Sequence, residues 1–193
     1  MRITRREAVG AVAVGLAGCS RFSGSVEDGD EPDNPALASA EGDGALRVTS
    51  PAFADGEAIP DRYGRGAENV NPPLEVAGIP DDTESLAVVV NDPDAVEVAG
   101  EIFVHWLVWN FSPDRTSIPE DWAPETAVEG ENDFGGVGYG GPAPPDEPHT
   151  YRFKCFALAG TLSLPEGATA AELGAAMAGE IAARAQLTGT YAP

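Results

Sequence analysis

Hydrophobic and polar positions fall along this chain in three regimes. Residues 8–18 form an eleven-residue run of apolar or small side chains behind a basic start. Residues 20–44 show no period and hold mainly Gly, Ser, Asp, Glu, Pro and Asn. From about residue 45 the pattern is strand-rich and punctuated by Gly and Pro. Residues 46–50 predict a first strand. Residues 85–90, Ser-Leu-Ala-Val-Val-Val, form a continuous run typical of a central strand buried on both faces. Residues 102–109 and 151–159 predict two more strands. Alternation over 102–109 places Phe103, His105, Leu107 and Trp109 on one face and Ile102, Val104, Trp106 and Val108 on the other. Residues 169–187 predict a helix. Thr169 to Glu172 fits a capping box, Leu173, Met177 and Ile181 recur at helical spacing, and Gly189 follows as a stop. Several strands with one late helix indicate a mostly β fold, a sandwich with a few peripheral helices.

The apolar run at 8–18 is too short to span a bilayer, which takes about 20 helical residues. It has the length of a signal-peptide core. Arg5-Arg6 resembles a twin-arginine export signal, and Leu16-Ala17-Gly18-Cys19 resembles a lipobox, in which the cysteine thiol takes the lipid. The chain therefore divides into a signal peptide with lipobox over 1–19, a disordered acidic linker over 20–44, and a folded domain over 45–193. The expected location is the outer face of the cell membrane, with the anchor on Cys19 and the linker as a spacer. With Cys19 lipidated, Cys155 has no disulfide partner. It sits in an apolar run and reads as a small buried hydrophobe.

Charge narrows the possible partners. The sequence has 11 basic and 32 acidic residues, a net charge of −21. A surface of this sign repels nucleic-acid backbones and excludes that partner class. Lys154 is the sole lysine. An acidic, lysine-poor surface suits molar salt, where the Debye length falls to about 3 Å and self-repulsion is screened. The composition thus suggests a halophilic source.

Four segments carry candidate chemistry. Asn91-Asp92-Pro93-Asp94-Ala95 follows the valine run and reads equally as a turn. His105 is the one polar side chain of its strand, and a buried imidazole needs a partner, which a backbone carbonyl can supply. Residues 135–145 hold five glycines and three prolines, which either form an ordinary turn-rich loop or bring main-chain N–H groups close to an anion. His149-Thr150-Tyr151 opens the last predicted core strand.

Taken in order, Asp92-Pro93-Asp94-Ala95, His105-Trp106, Gly138-Tyr139-Gly140-Gly141-Pro142 with Pro144-Pro145, and His149-x-Tyr151 resemble the signature of the phosphatidylethanolamine-binding protein (Raf kinase inhibitor-like) family, nearest to its YbhB/YbcL type. Glu68-Asn69-Val70-Asn71-Pro72-Pro73-Leu74 and the ending Leu187-Thr188-Gly189-Thr190-Tyr191 extend the resemblance over residues 46–191. The resemblance implies a small β-sandwich with a shallow pocket for phosphate-like groups. Its lining would be Asp92, His105, Gly140, Pro142, His149 and Tyr151, with Asp94 shaping the turn. The chain departs from the family pattern at Val96, Thr150 and Glu180, where the family commonly has Pro, Arg and His.

These observations lead to an exported, lipid-anchored binding protein. It would take a phosphate-type anion or phospholipid headgroup and act as an inhibitor or regulator of a protease or other protein partner. No cofactor, metal or catalytic residue is expected. The competing enzymatic reading is a metal-dependent or other hydrolase using the Asp and His residues. A purely structural surface protein would leave both histidines dispensable.

Overall fold

The computed structural model describes residues 34–40, 42 and 44–193. The leader, Arg5-Arg6, Cys19 and most of the acidic linker lie outside the described residues.

The long apolar runs become the strands of one large antiparallel sheet. These are β3 (Ser85–Asp92), β4 (Phe103–Phe111) and β7 (His149–Leu158). With β6 (Val128–Glu129) and β8 (Ile181–Tyr191) they form five strands in the order β6-β4-β3-β7-β8. A second sheet of three strands, β1-β2-β5, is built from β1 (Arg47–Thr49), β2 (Leu74–Ala77) and β5 (Ser117–Ile118). The described residues also form two short α-helices, α1 (Val96–Ala99) and α2 (Ala170–Met177), and a 3-10 turn at Asp61–Tyr63.

Both faces of the large sheet are covered, so every residue of β3 is buried. Val88, Val90, Trp106, Val108, Phe153 and Cys155 meet Val48, Leu74, Val76 and Ile118 of the smaller sheet in one core. On the opposite face Ala87, Val89, Leu107, Trp109, Phe156 and Leu158 pack under Leu173 and Met177 of α2. Cys155 is fully buried, and burial pushes its thiol up to about 12, as expected of an inert side chain.

The second core corrects the expected linker. Residues 34–40 do not behave as a spacer, because Ala36 and Ala40 are fully buried in this layer. Lys154, also fully buried, donates from Nζ to the carbonyls of Ala36 (2.6 Å) and Ala38 (3.0 Å). Asn91 Nδ2 donates to the Leu37 carbonyl at 3.0 Å, and the Ala40 N–H donates to Gln186 Oε1 at 3.0 Å. A buried ammonium needs such acceptors, and small alanines fit between them and the sheet. The folded domain thus includes residues 34–40, ahead of the expected start at 45.

The helix over 169–187 is also corrected. Its capping box is present, with Glu172 N–H on Thr169 Oγ1 and Thr169 N–H on Glu172 Oε2. The helix ends at Met177, and Gly179 turns the chain at φ 88°. Residues 181–191 then pair along the whole of β7. Ala, Arg, Gln and Leu favour helix locally, but satisfying the outer edge of β7 overrides that preference. Gly189 is no helix stop. It lies inside β8, where a Cβ would come within 2.7 Å of Ile59 and Phe53 side chains.

Candidate anion-binding site

A β-bulge creates the site. Val90 of β3 faces Trp106, yet the next residue, Asn91, faces Val104, so His105 is the extra residue on β4. A bulge breaks the two-residue alternation. Val104 therefore joins Leu107 and Trp109 in the helix-side core, while His105 leaves the face expected for it. Its ring packs instead against Phe103 (5.2 Å between centroids), Phe134 (5.4 Å) and Tyr151 (5.1 Å).

His105 is buried and its Nδ1 lies 2.6 Å from the Gly140 carbonyl. A carbonyl only accepts, so Nδ1 carries the proton. Nε2 has no hydrogen-bond partner among the described residues. Burial lowers the pKa, outweighing the Gly140 hydrogen bond and the Asp92 charge that act to raise it; Arg65 lowers it slightly further. At neutral pH the ring is thus uncharged, with a bare Nε2.

Asp92 closes β3 and organises the turn after it. Oδ1 accepts the N–H groups of Asp94 (3.0 Å) and Ala95 (3.1 Å), which leads the chain into α1. Oδ2 lies 2.7 Å from His149 Nδ1. The other ring nitrogen of His149 lies 3.2 Å from Asp146 Oδ1. Burial acts to lower the His149 pKa, but the hydrogen bonds and charges of Asp92 and Asp146 together outweigh it and raise it. Facing two carboxylates, the imidazolium donates from both nitrogens. Asp94 is exposed and accepts the Thr150 N–H at 2.7 Å, which ties the turn to the start of β7.

Tyr151 is fully buried between these groups. Asp92 and the Ala143 N–H are its polar neighbours, but neither completes a hydrogen bond to the hydroxyl. Burial, reinforced by the Asp92 charge, holds this phenol far above its ordinary range and therefore protonated.

The glycine-rich loop does not offer the anion nest that its composition suggests. The N–H of Gly135 goes to Asn132 O (2.9 Å), that of Gly136 to Asn132 Oδ1 (3.3 Å) and that of Gly138 to Gly130 O (3.2 Å). Gly140 donates to His105 O and Gly141 to Asn69 Oδ1, both at 2.8 Å. The glycines serve close packing instead. A Cβ on Gly140 would reach 2.6 Å from the Phe134 ring, and one on Gly141 would reach 2.7 Å from Arg65 N. Pro142 is buried and its carbonyl accepts the Arg65 N–H at 2.9 Å.

The structure thus brings Asp92, His105, Gly140, His149 and Tyr151 together, with Asp94 and Pro142 as supports. Sequence reasoning missed Phe103, Phe134, Asp146 and Arg65, and expected no basic residue other than histidine here. Arg65 Cζ lies 3.8 Å over the Phe134 ring. Asp146, three residues before His149, offered a weak local signal. Arg65 and Phe134 are 69 positions apart in the sequence and offered none. No group of three or more His, Cys, Asp and Glu able to hold a metal occurs among the described residues. A separate groove of about 730 Å³ lies between β1 and β8, lined by Leu46, Phe53, Asp55 and Gln186 among others. It shares no lining residue with this site.

The sequence model of the family described as phosphatidylethanolamine-binding protein matches residues 49–192. A UPF0098 protein of Methanothermobacter thermautotrophicus is 37% identical over 151 residues, covering 76% of this chain and 98% of that protein. A Mycobacterium tuberculosis protein named "Putative lipoprotein LppC" is 38% identical over 148 residues, covering 76% of this chain and 72% of that one. The crystal structure of E. coli YbcL, described as a member of the mammalian PEBP family, aligns with a TM-score of 0.71 at 33% identity, over 76% of this chain and 98% of that chain.

Proposed function

The chain belongs to the phosphatidylethanolamine-binding protein family, and from that premise we propose that it is an exported, lipid-anchored protein that binds a phosphate-type anion or phospholipid headgroup and thereby regulates a protease or other protein partner. The observation that carries the binding reading is the Tyr151 hydroxyl, a buried donor with no partner. Buried polar groups are rarely left unmet, and an unmet hydroxyl on a ring packed against the His105 imidazole, 5.1 Å between centroids, invites a ligand oxygen. The Tyr151 O–H donates to an anionic oxygen. His105 Nε2 accepts from a protonated one at neutral pH and becomes a donor once the ring is charged. His149 positions Asp92 rather than touching the ligand, since both its nitrogens are engaged.

Export and lipidation are supported by the Leu16-Ala17-Gly18-Cys19 ending and by the printed name of the mycobacterial relative. No helix among the described residues is long and apolar enough to cross a membrane; the proposed attachment is a lipid on Cys19.

Calorimetry with inorganic phosphate in constant salt tests the binding site. Tyr151→Phe should weaken affinity about five- to tenfold, the worth of one hydrogen bond of about 1–1.5 kcal/mol. Affinity should also strengthen as pH falls below the ordinary histidine range, because burial depresses His105. Sulfate, which keeps its charge over that range, separates the titration of the protein from that of the ligand. Equal binding by parent, Tyr151→Phe and His105→Ala would refute the reading.

A further inference from the structure

The site as described lacks a charge to match an anion. All five N–H groups of Gly135, Gly136, Gly138, Gly140 and Gly141 are spent on the protein. The imidazolium of His149 is held between Asp92 and Asp146. His105 is neutral, and Asp92 adds negative charge behind it. Tyr151 alone would have to hold a phosphate, which is weak for a charged ligand.

One cation stands at the edge of this cluster. The Arg65 guanidinium carbon lies over Phe134, 3.8 Å from the ring centroid, a stacking distance. Phe134 in turn packs edge-on against both His105 and Phe103, at 5.4 and 4.7 Å between centroids. The Arg65 main chain is fixed as well, since its N–H donates to the carbonyl of Pro142. Stacking uses the face of the guanidinium and leaves its N–H donors, which point outward in the plane, free. No carboxylate pairs with Arg65 among the described residues, although neighbouring Arg62 is paired with Glu68 and Glu120. Arg47, Arg115 and Arg184 likewise have no ion pair among the described residues, so what sets Arg65 apart is its place over an aromatic ring that packs directly against His105.

We infer that Arg65 is the charged arm of this site, held on Phe134 so that its donor fork receives the phosphate-type anion whose other oxygens meet Tyr151 and His105. This rests on the anion-binding reading above and adds the residue that supplies its affinity. A fork of parallel N–H groups matches two oxygens of one phosphoryl group, which a glycine nest would otherwise have done. The aromatic ring makes the arrangement specific. It keeps the side chain from the many surface acids and holds it in one rotamer before the ligand arrives.

The test uses the folded protein with inorganic phosphate as probe, at fixed pH and salt. Arg65→Met keeps the apolar stem over Phe134 and removes the fork. It should weaken phosphate binding about ten- to a hundredfold, the range for a charged hydrogen bond. Arg65→Lys, with charge but no fork, should fall between. Increasing salt should weaken the parent more steeply than Arg65→Met. The melting temperature should not move, because Arg65 is exposed. Flotation with phosphatidylcholine vesicles, with and without phosphatidic acid, distinguishes the source of the phosphate. Arg65-dependent capture by the acidic vesicles indicates a lipid headgroup, and phosphate binding without capture indicates a free anion. Parent and Arg65→Met binding phosphate equally would overturn the role of Arg65 and leave the site standing. No binding of phosphate or acidic vesicles by the parent would overturn both.

Discussion

Replacing Asp92 by asparagine isolates the Asp92–His149 pair. Asn keeps an oxygen for the N–H groups of Asp94 and Ala95, now met by Asp92 Oδ1 at 3.0 and 3.1 Å. It presents a neutral group to His149 in place of a carboxylate at 2.7 Å. Breaking a buried ion pair by removing one partner costs about 3–5 kcal/mol. Here Asp146 still faces the other ring nitrogen, and the turn hydrogen bonds survive, so about 2 kcal/mol is the better figure, the worth of one charged hydrogen bond. For a domain of this size that is about 4–8 °C in melting temperature. The sign with pH follows from the raised pKa of His149. A group whose folded pKa lies above its unfolded value contributes stability that is fully present below the unfolded value, near 6.5, and is lost as pH rises through the folded value. The gap between parent and Asp92→Asn should therefore be widest at mildly acidic pH and should narrow as pH rises through the folded value of His149. Calorimetric melting across that range at constant salt measures the gap, and the imidazole NMR titration of His149 should move down in the variant. A gap that is constant with pH, or widest in alkali, would refute the pairing, as would an unmoved His149 titration.

Cys19→Ser should release the protein from the membrane fraction or block its processing, and unchanged fractionation and size would reject the anchor. Removing residues 1–18 takes away three Arg and one Glu, leaving 8 basic and 31 acidic residues, net −23. Dilute salt should therefore lower the melting temperature relative to molar KCl, and a melting temperature independent of salt would reject that reading. Lys154→Met keeps a stem in the helix-side core but withdraws the ammonium from the carbonyls of Ala36 and Ala38. Residues 34–40 should then exchange their amide hydrogens faster by about tenfold or more, in line with losing about 1.5–3 kcal/mol, while β3 and β7 stay protected. Exchange at the parental rate would show that Lys154 does not hold the segment.

Local pattern alone determined a good part of this molecule. The valine run at 85–90, the apolar runs around Trp106 and Phe153, and the Thr169–Glu172 capping box act over a few residues, and each forms where it was expected. His105 stood out as the one polar side chain of its strand, whereas Asp92, His149 and Tyr151 were marked only by the family resemblance. Only the tertiary structure decided the rest. Residues 181–187 favour helix by composition, and the open edge of β7, a long-range partner, makes them part of a strand. The alternation around His105 was misread because a bulge depends on the register between β3 and β4, which neither strand encodes by itself. Averaged composition hid the short Ala-Leu-Ala-Ser-Ala stretch at 36–40 within an acidic segment, and its burial depends on Lys154, more than a hundred residues away. The loop glycines were legible as special, but whether their N–H groups face a ligand or the protein depends on Asn69, His105 and Asn132. Arg65 could not be singled out at all. An arginine in a loop becomes part of a site only when folding sets an aromatic ring beneath it and leaves it without an acid to pair with.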